Sequence, residues 1–118
     1  MLNPEKLLKS FRHAFTGIVI AFSENQNLFV HALIATAVVS AGILLDFTQT
    51  DLIIVLVMIV LVFSAEMINT AIEEVVNLLV KEHRTEAKIA KDVSAGMVLF
   101  VSILAIIVGL VIFSSYLF

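Results

Sequence analysis

Glu66 and Glu73 stand seven residues apart, with Asn69 between them and Asn77 one turn beyond. At about 3.6 residues per turn, these side chains share one helical face. Residues 52–63 ahead of them are wholly apolar. Counting about 1.5 Å per residue from Leu52 puts Glu66 roughly 21 Å along a helix, near a membrane boundary. A carboxylate at that depth is costly in lipid and normally faces a partner or a site. A shallow Glu is suited to accept a proton from a lipid hydroxyl. A second carboxylate two turns nearer the water is suited to hold Mg²⁺ on ATP, because Mg²⁺ prefers oxygen ligands together with phosphate. The loop that follows carries Lys81, Arg84, Lys88 and Lys91, cations able to offset charge on a transferring phosphate. Polar residues in membranes also serve as glue between helices. Two carboxylates and an amide on one face, beside a basic loop, favour a site over glue. Neither a GxxxxGK[ST] loop nor a GxGxxG loop with a kinase-type Lys occurs, so nucleotide binding would lie outside those folds.

The elements that must carry these residues follow from composition. The 118 residues allow one domain, with 61% hydrophobic and 14% charged residues and a mean hydropathy of +1.12. Soluble domains carry about 45–50% apolar and about 25% charged residues, and a small chain cannot bury that excess in a globule of its own. Three apolar stretches, 28–45, 52–80 and 93–118, are long enough to cross a bilayer. Cysteine is absent and the net charge is −3, so there is no thiol chemistry, and nothing in the charge points to nucleic acid. No secretory signal pattern is visible at the N-terminus.

Residues 1–25 read differently. Asn3 suits an N-cap and Pro4 the first helical turn. Leu8, Phe11, Phe15, Ile18 and Phe22 form one apolar stripe, with Lys6, Lys9, Arg12 and His13 off it. That pattern predicts an amphipathic helix lying on the membrane surface. Every Lys and Arg falls either in this segment or in the loop after the second span, and none falls in the loop 46–51. The positive-inside rule therefore predicts a cytoplasmic N-terminus and an external C-terminus. The expected fold is an all-α membrane protein: a surface helix plus three transmembrane helices.

Glu66-Met67-Ile68-Asn69-Thr70-Ala71-Ile72-Glu73-Glu74-Val75-Val76 resembles the E-x-x-N-[ST]-A-I-E-x-x-V signature of the bacterial diacylglycerol kinase and undecaprenol kinase family. Lys88-Ile89-Ala90-Lys91-Asp92-Val93-Ser94-Ala95-Gly96 resembles the segment that opens that family's last helix. The resemblance spans essentially the whole chain. It implies a homotrimer in the bacterial inner membrane, with sites shared between subunits, that uses ATP and Mg²⁺ to phosphorylate diacylglycerol or undecaprenol. It also implies Glu66 as general base, with Asn69 beside it, and Glu73 as a metal ligand. Lys91 and Asp92 would contact ATP, as would the loop residues Glu82, His83 and Arg84; Lys6 and His13 would lie near the nucleotide on the first helix.

Two positions depart from the family pattern. The family's second metal-binding Glu falls at Asn25, with Glu24 one residue early. Either Glu24 replaces it or the site holds its metal with fewer charges. Asn77 stands where the family usually has Asp. His31 is expected to be a packing or interfacial histidine, and Glu74 to face away from the Glu66 stripe. The competing reading is a non-catalytic membrane subunit or a proton-linked transporter component. A relay calls for ionisable groups spread along the spans, whereas both Glu66 and Glu73 sit at one end of theirs. Phosphate transfer from ATP to extracted lipid separates the two readings.

Overall fold

The computed structural model describes residues 1–118. It holds four helices and no strand: α1 Pro4–Glu24, α2 Gln26–Leu44, α3 Gln49–Leu79 and α4 Thr85–Leu117. Three of them, α2, α3 and α4, are long and apolar enough to cross a membrane. The 19 residues of α2 rise about 28 Å, close to the roughly 30 Å of a hydrocarbon core. The 31 residues of α3 and 33 of α4 rise about 46 and 50 Å. Both outrun the hydrocarbon, so their linked ends around 79–85 stand clear of it. The last helix begins at Thr85, about two turns ahead of its apolar stretch. The segment from Thr85 is polar but contains no helix breaker, and helix continues into water where hydropathy alone stops.

Local sequence explains the boundaries of α1 and α2 and the start of α3. The Asn3 side chain accepts hydrogen bonds from the Glu5 and Lys6 backbone N–H groups, and Pro4 occupies the first turn. These use donors that otherwise lack partners at a helix start. A single extended residue, Asn25, separates α1 from α2, and it caps both. At the other end of α2, Phe47 N–H donates to Gly42 C=O and Asp46 N–H to Ile43 C=O. That pair of bonds is the Schellman pattern, and it needs one left-handed residue. Asp46, at φ 56°, supplies it. The Phe47 ring then lies over Gly42, where a Cβ would come within 2.9 Å of the ring. Thr48 caps α3 by accepting from Asp51 N–H.

α3 is the central element. It packs most extensively against α4 and also against α2, while α1 touches α2. Only 10 of the 118 residues are buried. The remaining apolar surface has no partner within the chain, so it is matched to lipid or to other chains. Along α1, Leu8, Phe11, Phe15 and Ile18 are all exposed. An apolar groove of about 390 Å³ runs between α2, α3 and α4, lined by residues such as Val38, Met58, Ile59 and Ala105, with His31 and Phe63 among its walls.

Candidate active site

Where the C-terminal half of α3 meets the start of α2, a polar cleft of about 290 Å³ opens. It is lined by Glu24, Asn25, Gln26, Asn27, Glu66, Asn69, Thr70, Glu73 and Glu74, with no hydrophobic residue among them. The α1–α2 joint supplies residues 24–27, and two turns of α3 supply the rest. Spacing accounts for the α3 set, since Glu66, Asn69, Thr70 and Glu73 recur at three and four residues. Glu74 belongs to this set. That corrects the expectation that it faces away: it stands four residues after Thr70 and shares that residue's side of the helix.

Glu66 is 1% exposed and Asn69 8%. The Glu66 carboxylate receives one hydrogen bond in the structure, from Asn27 Nδ2 to Oε1 at 2.9 Å. No cation lies within salt-bridge distance of it. Asn69 is held from α4, where the Ser94 hydroxyl donates to its Oδ1 at 2.6 Å. The Thr70 hydroxyl donates to the Glu66 carbonyl at 2.9 Å and accepts from Asn25 Nδ2 at 2.6 Å. Asn25 Oδ1 meanwhile accepts from the Asn27 backbone N–H at 2.9 Å. Glu73 and Glu24 are exposed at the water side of the cleft.

Of the residues singled out in the sequence, Glu66, Asn69, Glu73, Glu24 and Asn25 are thus brought together. The others are not in the cleft. Lys91 Nζ donates to Asn77 Oδ1 at 2.6 Å, one side chain from α4 and one from α3. Asp92 pairs with Lys88 at 2.5 Å, and both side chains are about two-thirds exposed, so water screens that pair heavily. Glu82, His83 and Arg84 lie exposed in the α3–α4 connection, with Arg84 and Glu82 3.9 Å apart. Lys6 and His13 are exposed on α1 and line no part of the cleft.

Asn27 and Ser94 hold the two buried polar side chains of α3, contacts that the sequence reading did not assign. The available signal was that each is a polar side chain within a turn or three of a membrane helix start, where an unsatisfied polar group is expensive.

No three acidic or histidine side chains converge tightly enough to make a self-contained metal site. Mg²⁺ bound with a nucleotide does not require one. It takes one or two protein carboxylates and completes its shell with phosphate and water. Glu24, Glu73 and Glu74 on one cleft satisfy that smaller demand.

Comparison with known proteins identifies the family. Residues 12–113 match the family model described as prokaryotic diacylglycerol kinase. The chain is 38% identical over 108 residues to an undecaprenol kinase of Bacillus subtilis, covering 92% of this chain and 88% of that one. It is 41% identical over 104 residues to a diacylglycerol kinase of Synechocystis, covering 87% of this chain and 59% of that longer protein. With three membrane-length helices, a buried carboxylate at the membrane edge and a family match across most of its length, the chain belongs to the prokaryotic diacylglycerol kinase family and is a membrane lipid kinase.

Proposed function

We infer that this protein transfers the terminal phosphate of ATP to the primary hydroxyl of a membrane lipid alcohol, diacylglycerol or undecaprenol. The observation that carries the reading is the position of Glu66 between two unlike spaces. The polar cleft ends at Asn27 and Glu66. The apolar groove begins with His31 and Phe63, about one helical turn away along the same two helices. A lipid alcohol has the same two halves, with its hydroxyl at the membrane surface and its chain in the hydrocarbon.

Glu66 accepts the hydroxyl proton as the lipid oxygen attacks the terminal phosphorus of ATP and the bond from that phosphorus to the ADP oxygen breaks. Its carboxylate has no cation beside it, which leaves it free to take that proton. Asn69, fixed by Ser94, orients the reacting groups. Mg²⁺, if bound there, would supply positive charge that offsets the ATP phosphates. Glu73, together with Glu24 or Asn25, would hold it. Glu24 is the better partner, because the Asn25 oxygen already caps α2. Lys91 and Asp92 near the α4 start, Glu82, His83 and Arg84 in the connection, and Lys6 and His13 on α1 would contact the nucleotide. Trimerisation in the bacterial inner membrane, with the N-terminus inside, would bring a neighbour's α1 or loop to the cleft.

Purified protein in detergent micelles, given γ-labelled ATP, Mg²⁺ and either dioctanoylglycerol or undecaprenol, tests this directly. Label is expected in the extracted lipid and to depend on Mg²⁺. No transfer to either alcohol, by protein shown to be folded, would contradict the reading. The ratio of the two rates identifies the substrate.

A further inference from the structure

The Glu66 carboxylate has a single hydrogen-bond donor, the side chain of Asn27. A glutamate has three side-chain torsions, and burial by itself does not choose among them. A proton acceptor must nonetheless be held in hydrogen-bond reach of the group it deprotonates. Asn27 is itself held by a closed circuit. Its backbone N–H is bound by Asn25 Oδ1, Asn25 Nδ2 is bound by the Thr70 hydroxyl, and Thr70 is bound to the Glu66 carbonyl. The circuit joins the one-residue break between α1 and α2 to the turn of α3 that bears the base. A carboxamide has an uncharged donor, so it orients the carboxylate without a cation that would compete for it.

We propose that Asn27 is a positioning residue for this reaction: it pins one oxygen of Glu66, leaving the other to receive the lipid proton, and the Asn25–Thr70 bond fixes Asn27 in turn. This rests on the reading of Glu66 as the base. It makes the α1–α2 joint part of the catalytic apparatus even though no residue of the joint need touch the reacting atoms.

The test compares Asn27→Ala, Asn27→Asp, Glu66→Gln and the Asn27→Ala/Glu66→Gln double variant, each with dioctanoylglycerol and with undecaprenol in mixed micelles. Asn27→Ala is expected to lower kcat on the order of ten- to a hundredfold, the cost typical of a reacting group out of place by an ångström. KM for ATP should stay within about twofold. Asn27→Asp keeps the volume and loses the donor; it should be no more active than Asn27→Ala, and it covers the case in which Ala fails to fold. The double variant should be no slower than Glu66→Gln alone, because an orienting residue has nothing left to orient. Wild-type kcat in Asn27→Ala, a wild-type kcat in Asn27→Asp, or a loss that multiplies with that of Glu66→Gln would each overturn the proposal. If Glu66→Gln alone retained full kcat, the base reading would fail first, and that result is distinguishable from the other three.

Discussion

At the scale of single residues, what matters is which charges are left uncompensated. Asp92 is paired with Lys88, whereas the only side-chain partner of Lys91 is the neutral amide of Asn77. Lys91 therefore keeps its full charge for an anionic ligand while being held in place. Asn77→Asp should neutralise it; the expected outcome is a several-fold rise in KM for ATP with a smaller change in kcat, read from initial rates at fixed Mg²⁺. Glu73→Gln should raise the Mg²⁺ concentration needed for half-maximal rate. Glu24→Gln should do the same if Glu24 is the second ligand, and should leave the Mg²⁺ curve unmoved if it is a solvated charge. The α3 half of this site was legible in the sequence, because Glu66, Asn69 and Glu73 obey one period on one helix. Its other half was legible only in part: the family resemblance pointed to Glu24 and Asn25, while Asn27 went unassigned. Nothing in the spacing of Asn25 and Asn27 says that they reach 39 to 45 residues along the chain to Glu66 and Thr70; only the packing of α2 on α3 brings them there. Glu74 was misplaced for a related reason: the stripe was centred on Glu66, while the cleft is centred nearer Thr70.

At the scale of elements, the site depends on how firmly three helices keep their crossing, and the firmest fixture lies at the opposite end. There the Tyr116 hydroxyl donates to Asp51 Oδ2 at 2.6 Å and accepts from Thr48 N–H at 2.8 Å. Its ring is 4.4 Å from that of Phe47, which meets Phe113 at 5.0 Å. The end of α4 is thereby tied to the α2–α3 turn. Gly42→Ala tests the fixture through a balance of two terms. Alanine gains about 1 kcal/mol of helix propensity, but its Cβ would sit 2.9 Å from a ring that Tyr116 and Phe113 hold in place, and overpacking of this kind costs about 1–3 kcal/mol. A net loss of about 1 kcal/mol is expected, seen as a lower unfolding midpoint in mixed micelles. Tyr116→Phe, which keeps the ring, should lose about 1 kcal/mol by the same measurement. The helices themselves were readable from hydropathy and capping residues. The long polar extension of α4 was not, because hydropathy reports where lipid ends rather than where hydrogen bonding ends.

At the scale of the whole molecule, the chain is a scaffold of lipid-matched helices with its chemistry confined to one end. The positive-inside rule predicts a cytoplasmic location for that end, so reporters fused at Gln49 and at Phe118 should both read as external; a cytoplasmic signal from either would contradict the orientation. The scarcity of buried residues leaves ample surface for assembly. If sites are shared between copies, mixing inactive Glu66→Gln chains with chains disabled at a nucleotide contact such as Lys91→Ala should restore part of the activity. All of this presupposes that the cleft on α3 performs phosphate transfer to a lipid, and the most direct test is a single comparison. Wild-type protein and Glu66→Gln are purified alike and assayed for label transferred from ATP to lipid alcohol across a range of Mg²⁺ concentrations. The expected result is rapid transfer by the wild type and a loss of about 10²–10⁴-fold in kcat for Glu66→Gln, with the Mg²⁺ and ATP dependence of the residual rate unchanged. Equal kcat in the two proteins, or a Glu66→Gln defect that extra Mg²⁺ repairs, would contradict the assignment of Glu66 as the base.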